Sequence, residues 1–256
     1  VLGVHEAEDR IMPGGFVFHD ARDTLRPLKL LHKIYDRSRP AERTTHLSVS
    51  KDGLAWETEP LRWHRRFPDP PNSVFSNVAA AVYGITVRPA LGDRRIALVE
   101  TADFVTFTDP QLIVQPDAAD PALAQHYGMP VIAYDDLYLG FLWILRHADP
   151  GELQKGRGGV IDSELTYSYD GRLWLRTDRS PFVGRNAPGL PGSGCVYPST
   201  VVVDEQEILI YSGSSRGEHG QYNGAKHTRQ KVGDGAVLRH RLRRDGFCYL
   251  EPEGGE

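Results

Sequence analysis

Within Gly159-Val160-Ile161-Asp162-Ser163-Glu164, two carboxylic acids occupy alternate positions of a β-branched run. Alternate positions of a strand share a face, so Asp162 and Glu164 point the same way. A pair of this kind can supply carboxylate acid–base or nucleophilic chemistry. The plain alternative is two acids that face solvent or cap a turn. Further along, Glu218-His219-Gly220 follows a strand and the polar stretch Ser212 to Arg216. Glu218 and His219 can both reach a cleft from there, or belong to a solvated loop. Tyr197, in Gly194-Cys195-Val196-Tyr197-Pro198-Ser199, offers an aromatic face for stacking, with core packing as the alternative. His126 borders the Met129-Pro130 pair and is a further candidate.

Strands must position these residues. Glycine (26) and proline (18) punctuate the 256-residue chain, and the intervening runs are short, β-branched and aromatic. Gly15 to Phe18, Leu28 to Tyr35, Ile96 to Val99, Leu137 to Leu145, and Val201 to Tyr211 broken at Asp204 to Gln206 all read as strands. Pro116 to His126 is expected to hold one or two helical turns, with Asp120 as cap and Pro121 in the first turn. The chain is therefore expected to be all-β.

A repeat gives the architecture. Ser50-Lys51-Asp52-Gly53-Leu54-Ala55-Trp56 returns as Ser168-Tyr169-Asp170-Gly171-Arg172-Leu173-Trp174, with degenerate copies from Thr101 to Phe107 and from Arg243 to Tyr249. Asp-Gly closes a hairpin because glycine tolerates positive φ and aspartate binds nearby backbone N–H groups. Four-stranded units repeating at roughly 50 residues are β-propeller blades. Four are visible, at about 12–60, 70–112, 126–178 and 194–251 of a single domain spanning 1–256. Chance recurrence of Asp-Gly turns in a β-sandwich is the alternative.

Composition narrows the function classes. Hydrophobic residues make up 40% and charged residues 25%, the profile of a globular chain with a core. Net charge is −4, from 30 basic and 34 acidic residues, which argues against a nucleic-acid or anionic-membrane partner. The sequence given contains no apolar run of transmembrane length and no signal-peptide pattern, and localisation stays open. Cys195 and Cys248 lack zinc spacing and are read as small buried hydrophobes. No metal-ligand set or cofactor motif is found; a structural ion on a propeller axis stays open.

The Ser-x-Asp-Gly-x-x-Trp hairpins, with Tyr127 to Gly140, Gly194 to Ser199 and Gly217 to Gly220, resemble the furanosidase propellers of glycoside hydrolase families 32 and 43, in an uncharacterised family-32-like branch. That resemblance covers most of the chain. It implies a five-bladed propeller, of which a terminal blade lies outside the four counted, and three carboxylates at a central funnel. One carboxylate is a base or nucleophile, one holds the sugar and one protonates the leaving oxygen. Residue by residue, Phe67-Pro68-Asp69-Pro70 matches the sugar-holding motif and nominates Asp69, with Asn72 beside it. Gly128-Met129-Pro130 matches the acid motif with glycine in the glutamate's place and puts Met129 at the pocket. The first-blade Asn-Asp-Pro motif has no match, and His19-Asp20 is the nearest aspartate at an inner-strand end.

The resemblance thus implies a glycosidase acting on a furanosidic or related glycosidic bond. Asp69, Asp162 and Glu164 are its candidate catalytic residues, and Asn72, His126, Met129, Tyr197, Glu218 and His219 would line the substrate pocket. The alternative is a non-catalytic carbohydrate-binding propeller, for which Gly128 at the acid position speaks. A protein-binding scaffold has no specific support. Oligomeric state is not readable from the sequence.

Overall fold

The computed structural model describes residues 10–11, 15–36, 43–60, 73–89, 91–151, 158–220 and 235–248. Seventeen β-strands carry the fold among them. The first sheet contains β1 (Arg10–Ile11), β2 (Gly15–His19), β3 (Leu28–Asp36), β4 (Arg43–Ser50) and β5 (Glu57–Pro60). Its order is β1-β3-β4-β5, with β2 also on β3. The second runs in chain order through β6 (Ser73–Asn77), β7 (Val82–Val87), β8 (Ile96–Thr101) and β9 (Gln111–Val114). The remaining strands are β10 (Ala124–Gly128), β11 (Val131–Tyr134), β12 (Leu137–Arg146), β13 (Val160–Ser168), β14 (Leu175–Arg176), β15 (Cys195–Val203), β16 (Glu207–Ser215) and β17 (Gly235–Arg243).

These last eight strands form one sheet of order β10-β12-β13-β15-β16-β17, with β11 on β12 and β14 on β13. The expected segments 126–178 and 194–251 are therefore not separate sheets. A single parallel register pair, Ile161↔Cys195, joins them, and the Ile161 N–H donates to the Gly194 carbonyl at 3.1 Å. The start of β13 would otherwise leave that N–H without a strand neighbour. No sheet is closed on itself among the described residues.

Contacts divide the chain into two compact units. The first comprises Val1–Leu142 with Leu165–Arg179, the second Trp143–Glu164 with Ser180–Glu256. In the first unit, residues of β3, β4, β6, β7 and β8 build a core of Leu31, Leu47, Val49, Val74, Tyr83, Ile85, Val87, Ala97 and Val99, which Phe104 joins from the turn after β8. The period of two places each strand's apolar residues on one face, and burying that face supplies the driving force. In the second unit, Ile161, Cys195, Val196, Ile208 and Ile210 are buried.

The expected helix at 116–126 is absent. Two tight turns, at 118–119 and 122–123, lead directly into β10. Asp120 accepts the Asp117 N–H at 2.9 Å, and both aspartates form ion pairs with arginines. The pair with Arg176 draws on Asp120, the carboxylate expected to cap a helix.

Three copies of the repeated motif form the same self-closing turn, each joining an antiparallel strand pair. In the first, Ser50 Oγ accepts the Gly53 N–H at 2.9 Å, and Asp52 Oδ1 accepts those of Leu54 and Ala55 at 2.8 and 3.1 Å. Thr101 and Asp103 repeat this with Phe104, Val105 and Thr106; Ser168 and Asp170 repeat it with Gly171, Arg172 and Leu173. The tryptophans close the outer copies, since Trp56 Nε1 donates to Gly53 O at 3.0 Å and Trp174 Nε1 to Gly171 O at 3.1 Å. Backbone N–H donors hold the carboxyls of Asp52, Asp103 and Asp170 below the usual carboxylate range. The fourth copy departs from the pattern: its positive φ falls on Asp245, at 58°, and not on Gly246. With Arg243 in the serine position, no hydroxyl is available to accept the turn N–H.

Gly171 has φ +72°, and a Cβ there would stand 3.0 Å from the Phe75 ring and 3.2 Å from Asn77 Nδ2. Gly171→Ala is expected to lower unfolding free energy by about 1–3 kcal/mol, from left-handed strain and crowding together. Urea unfolding of the variant beside the parent protein measures this; an unchanged midpoint would show that the turn relaxes freely.

Candidate functional site

Strand β13 is buried along nearly its whole length, including its two acids. Asp162 and Glu164 are only 5% and 1% exposed, so each needs a counter-charge. Arg146, the last residue of β12, supplies it. Its Nε lies 3.1 and 3.2 Å from the two Asp162 oxygens, while Nη2 reaches Asp162 Oδ1 at 3.0 Å and Glu164 Oε1 at 3.5 Å. Both carboxylates therefore face one guanidinium, as strand alternation requires. Since Oδ1 and Oε1 lie 3.0 and 3.5 Å from the same nitrogen, they are at most 6.5 Å from each other.

Loops bring further groups to this strand. Ser163 forms an isolated antiparallel bridge with Val183, which brings the following residues alongside Asp162. Arg185 Nε stands 4.0 Å from Asp162 Oδ2, and its Nη1 donates to Ser193 O at 3.0 Å. The approach to β13 is fastened from the other side. Gly158 N–H donates to His219 O at 2.8 Å, His219 N–H to Gly159 O at 2.9 Å, and Gly159 N–H to Glu218 Oε2 at 3.1 Å. Gly159 has φ +83°, and a Cβ would come within 2.7 Å of the Arg146 carbonyl, so this close approach requires glycine. Glu218 is exposed and His219 half-buried.

Tyr197 on β15 is half-buried and meets Trp143 edge-on, with ring centroids 5.3 Å apart at 79°. Trp143 Nε1 donates to Pro198 O at 2.9 Å, which fixes the indole. Cys195 lies fully buried on the same strand, and burial pushes its thiol up. Cys248, expected to be buried, is instead exposed; neither cysteine forms a disulfide.

The first unit holds His126 and Met129. His126 is fully buried on β10. Its Nε2 is 3.8 Å from Asp120 Oδ2. Arg176 clasps Asp120 through two 2.7 Å hydrogen bonds, and Arg179 clasps Asp117 likewise. Burial holds the His126 imidazole down at about 4; the Arg176 charge acts in the same direction and Asp120 opposes it. Burial alone would raise Asp120, but the hydrogen bonds from Arg176 and the Asp117 N–H prevail and keep it low. Met129 is also fully buried, against Thr166 Oγ1 at 3.5 Å, and presents no surface to a ligand. Asp69 and Asn72 lie outside the described residues.

A pocket of about 340 Å³ also belongs to the first unit, lined in part by Asp20, Arg22, Lys29, Tyr83 and Phe104. It contains neither Asp162 nor Glu164. We place the candidate site at the carboxylate pair because two acids and a partly exposed arginine meet there. Among the described residues, no group of three or more His, Cys, Asp or Glu could hold a metal ion, and no helix is long and apolar enough to cross a membrane.

No protein-family model matches the chain, and no curated protein matches its sequence. Solved structures do. A thermostable family-43 glycoside hydrolase aligns with a TM-score of 0.62 at 15% identity, over 94% of this chain and 72% of its own. The chain is similar to it in fold. A Bacteroides thetaiotaomicron protein provisionally assigned as a glycosidase aligns at 0.55 and 14% identity, over 89% of this chain and 66% of its own. A fructofuranosidase from Schwanniomyces occidentalis, complexed with fructosylnystose, aligns at 0.51 and 10% identity, over 97% of this chain and 50% of its own. At these identities the likeness extends to the fold and not to individual residues.

Sequence reasoning found the two acids but missed Arg146 and Arg185. Arg146 had a signal, as the one charge closing the apolar run Leu137 to Leu145. Arg185 had none, because nothing local marks the bridge that carries its loop to β13.

Removing the shared cation should leave two buried carboxylates uncompensated. Arg146→Met is expected to cost about 3–5 kcal/mol in chemical denaturation, with partial recovery when Asp162→Asn and Glu164→Gln are added. Equal losses in the single and triple variants would refute charge compensation.

His126 yields a separate expectation. Its folded pKa of about 4 lies below its unfolded value, so the unfolded chain binds the extra proton. Stability should fall as pH drops from about 6.5 towards 4, by on the order of 3 kcal/mol from this group. His126→Gln should flatten that limb in urea titrations at stepped pH; an unchanged slope would assign it to other groups.

Proposed function

We propose that this chain is a glycosidase that binds carbohydrate and cleaves a glycosidic bond with the carboxylates of β13. The observation that carries the reading is the buried Asp162–Glu164 pair, on one strand face and with facing oxygens at most 6.5 Å apart. Glycosidic cleavage needs two carboxyl groups, about 5–5.5 Å apart in retaining enzymes and about 6.5–9.5 Å apart in inverting ones. Asp162 has the closer guanidinium contacts, at 3.0–3.2 Å, and Glu164 meets the same guanidinium at 3.5 Å; which of the two donates the proton is read from the variants below. Tyr197, Glu218 and His219 belong to the same unit as the pair and are its candidate substrate contacts; Asp69 and Asn72 remain sugar-holding candidates on the family resemblance alone. The similarity of fold to glycoside hydrolases supports the reaction class. The blade reading, four blades of a five-bladed furanosidase-like propeller, belongs to the same proposal.

One observation favours a second reading, carbohydrate binding without catalysis. Arg146 engages both acids, and a buried glycine, Gly128, occupies the position where the family resemblance expects the acid.

Hydrolysis of a panel of aryl fructosides, arabinofuranosides, xylosides and galactosides decides between them. Turnover should fall at least about 100-fold in Asp162→Asn or Glu164→Gln, on the scale of a lost general acid or base. Turnover unaffected by either change would move the chemistry elsewhere. Sugar-induced thermal stabilisation without turnover would establish the binding reading.

A further inference from the structure

Side chains at the tips of turns stand in water and are ordinarily polar. In the first unit they are apolar. Among the described residues, seven large apolar side chains are at least 70% exposed, and six of them stand in turns of this unit. Leu25 lies between β2 and β3, Leu54 between β4 and β5, and Val78 between β6 and β7. Val105 lies between β8 and β9, and Tyr169 and Leu173 between β13 and β14. The seventh, Val237, belongs to the second unit.

These turns lie side by side. The register pairs His19↔Leu28 and Leu28↔Ser50 place the β2–β3 and β4–β5 turns at one end of the first sheet. Asn77↔Val82 and Tyr83↔Thr101 do the same for the β6–β7 and β8–β9 turns of the second. Side chains then tie the ends together. Arg22 Nη1 donates to Ala81 O at 3.3 Å, Asn77 Nδ2 to Asp170 O at 2.8 Å, and Arg172 clasps Glu100 at 3.0 and 3.2 Å. The six apolar tips therefore crown one end of the unit as a patch, not as scattered single residues.

Charge and shape decide what such a patch can meet. Asp52, Asp103 and Asp170 are taken up by the N–H groups of their own turns. Arg22 stands by Asp20, Lys29 by Asp23, and Arg26 by Asp23 and Glu57. Acids and bases thus balance within the chain, and the face exerts little pull on a partner of either sign. A hollow of about 340 Å³ opens among the same turns, lined in part by Leu47, Val49 and Phe104. Phe104 holds the left-handed position, φ +57°, that Gly53 and Gly171 take in the sister turns, and packs on Tyr83 at 4.8 Å. Apolar knobs and an apolar-floored hollow therefore share one face.

We propose that this face is the interface of a two-fold dimer of the chain, with apolar tips of each copy seated against the hollow of the other. Six large side chains so exposed present on the order of 800 Å², the share of one partner in an interface of standard size. A two-fold contact needs one patch to carry both halves of the fit, and the knobs, the hollow and the balanced charges supply them. The dimer goes beyond the glycosidase reading and does not depend on it, since Asp162 and Glu164 belong to the second unit.

Sedimentation velocity on the full chain, from about 1 to about 200 μM, tests for self-association in the range of a micromolar dissociation constant. A dimer should grow in with concentration. Leu54→Asp and, independently, Leu173→Asp should each weaken it at least about 10-fold, as buried charges in an apolar contact do, whereas Val237→Asp should not. Circular dichroism melts identify the variants that remain folded, and one folded tip variant suffices. A monomer throughout the range, a dimer unmoved in a folded tip variant, or equal weakening by Val237→Asp would each overturn the proposal. Flotation of a monomeric chain with phosphatidylcholine vesicles, lost in Leu54→Asp, would overturn it in favour of a lipid surface.

Discussion

An aspartate carboxylate that accepts two consecutive backbone N–H groups closes three strand pairs of this fold. Asp52, Asp103 and Asp170 each do so with the same geometry, aided by a hydroxyl two residues earlier. Each turn fixes where the outer strand begins and therefore its register against the strand before it. Register decides which side chains face inward, because a one-residue slip exchanges the two faces. Which face Asp162 and Glu164 share rests on this constraint, since β13 ends in the Ser168 turn. Elsewhere the same turn has been adapted: in the Thr101 copy an aromatic ring takes the glycine's place and joins the core.

Charge burial is the second organising theme. Lys29 with Asp23, Arg176 with Asp120, and Arg146 with Asp162 and Glu164 are all compensated pairs or triads with largely buried carboxylates or cations. Such groups contribute little net stability against apolar replacements, but removing one partner is expensive. They therefore act chiefly as fasteners of geometry. In each unit a loop is tied to a strand by an arginine that the strand pattern alone does not require.

The strands, the three regular turns and the common face of the two acids were legible in the sequence because alternation and turn chemistry are local. The fourth turn was misread because its Asp-Gly lacks the hydroxyl partner that its sisters share. The helix expected at 116–126 failed for a non-local reason. Asp117 and Asp120 pair with Arg179 and Arg176, about 60 residues away, and no local pattern reports such partners. Arg146 and Arg185 belong to the same class. Met129 was nominated through motif alignment, and the structure gives its side chain to packing. The parallel pair Ile161↔Cys195, which joins two expected sheets into one, has no sequence signature because a single register pair needs no strand-length pattern.

The two cysteines have a practical corollary. Cys195 is buried at the start of β15 with its thiolate disfavoured by burial, while Cys248 stands at the surface beyond β17. A thiol-directed reagent therefore meets one sulfur in the folded chain and two in the unfolded chain. These 256 residues thus carry a single attachment point for a dye, spin label or surface tether, together with a built-in count of unfolding.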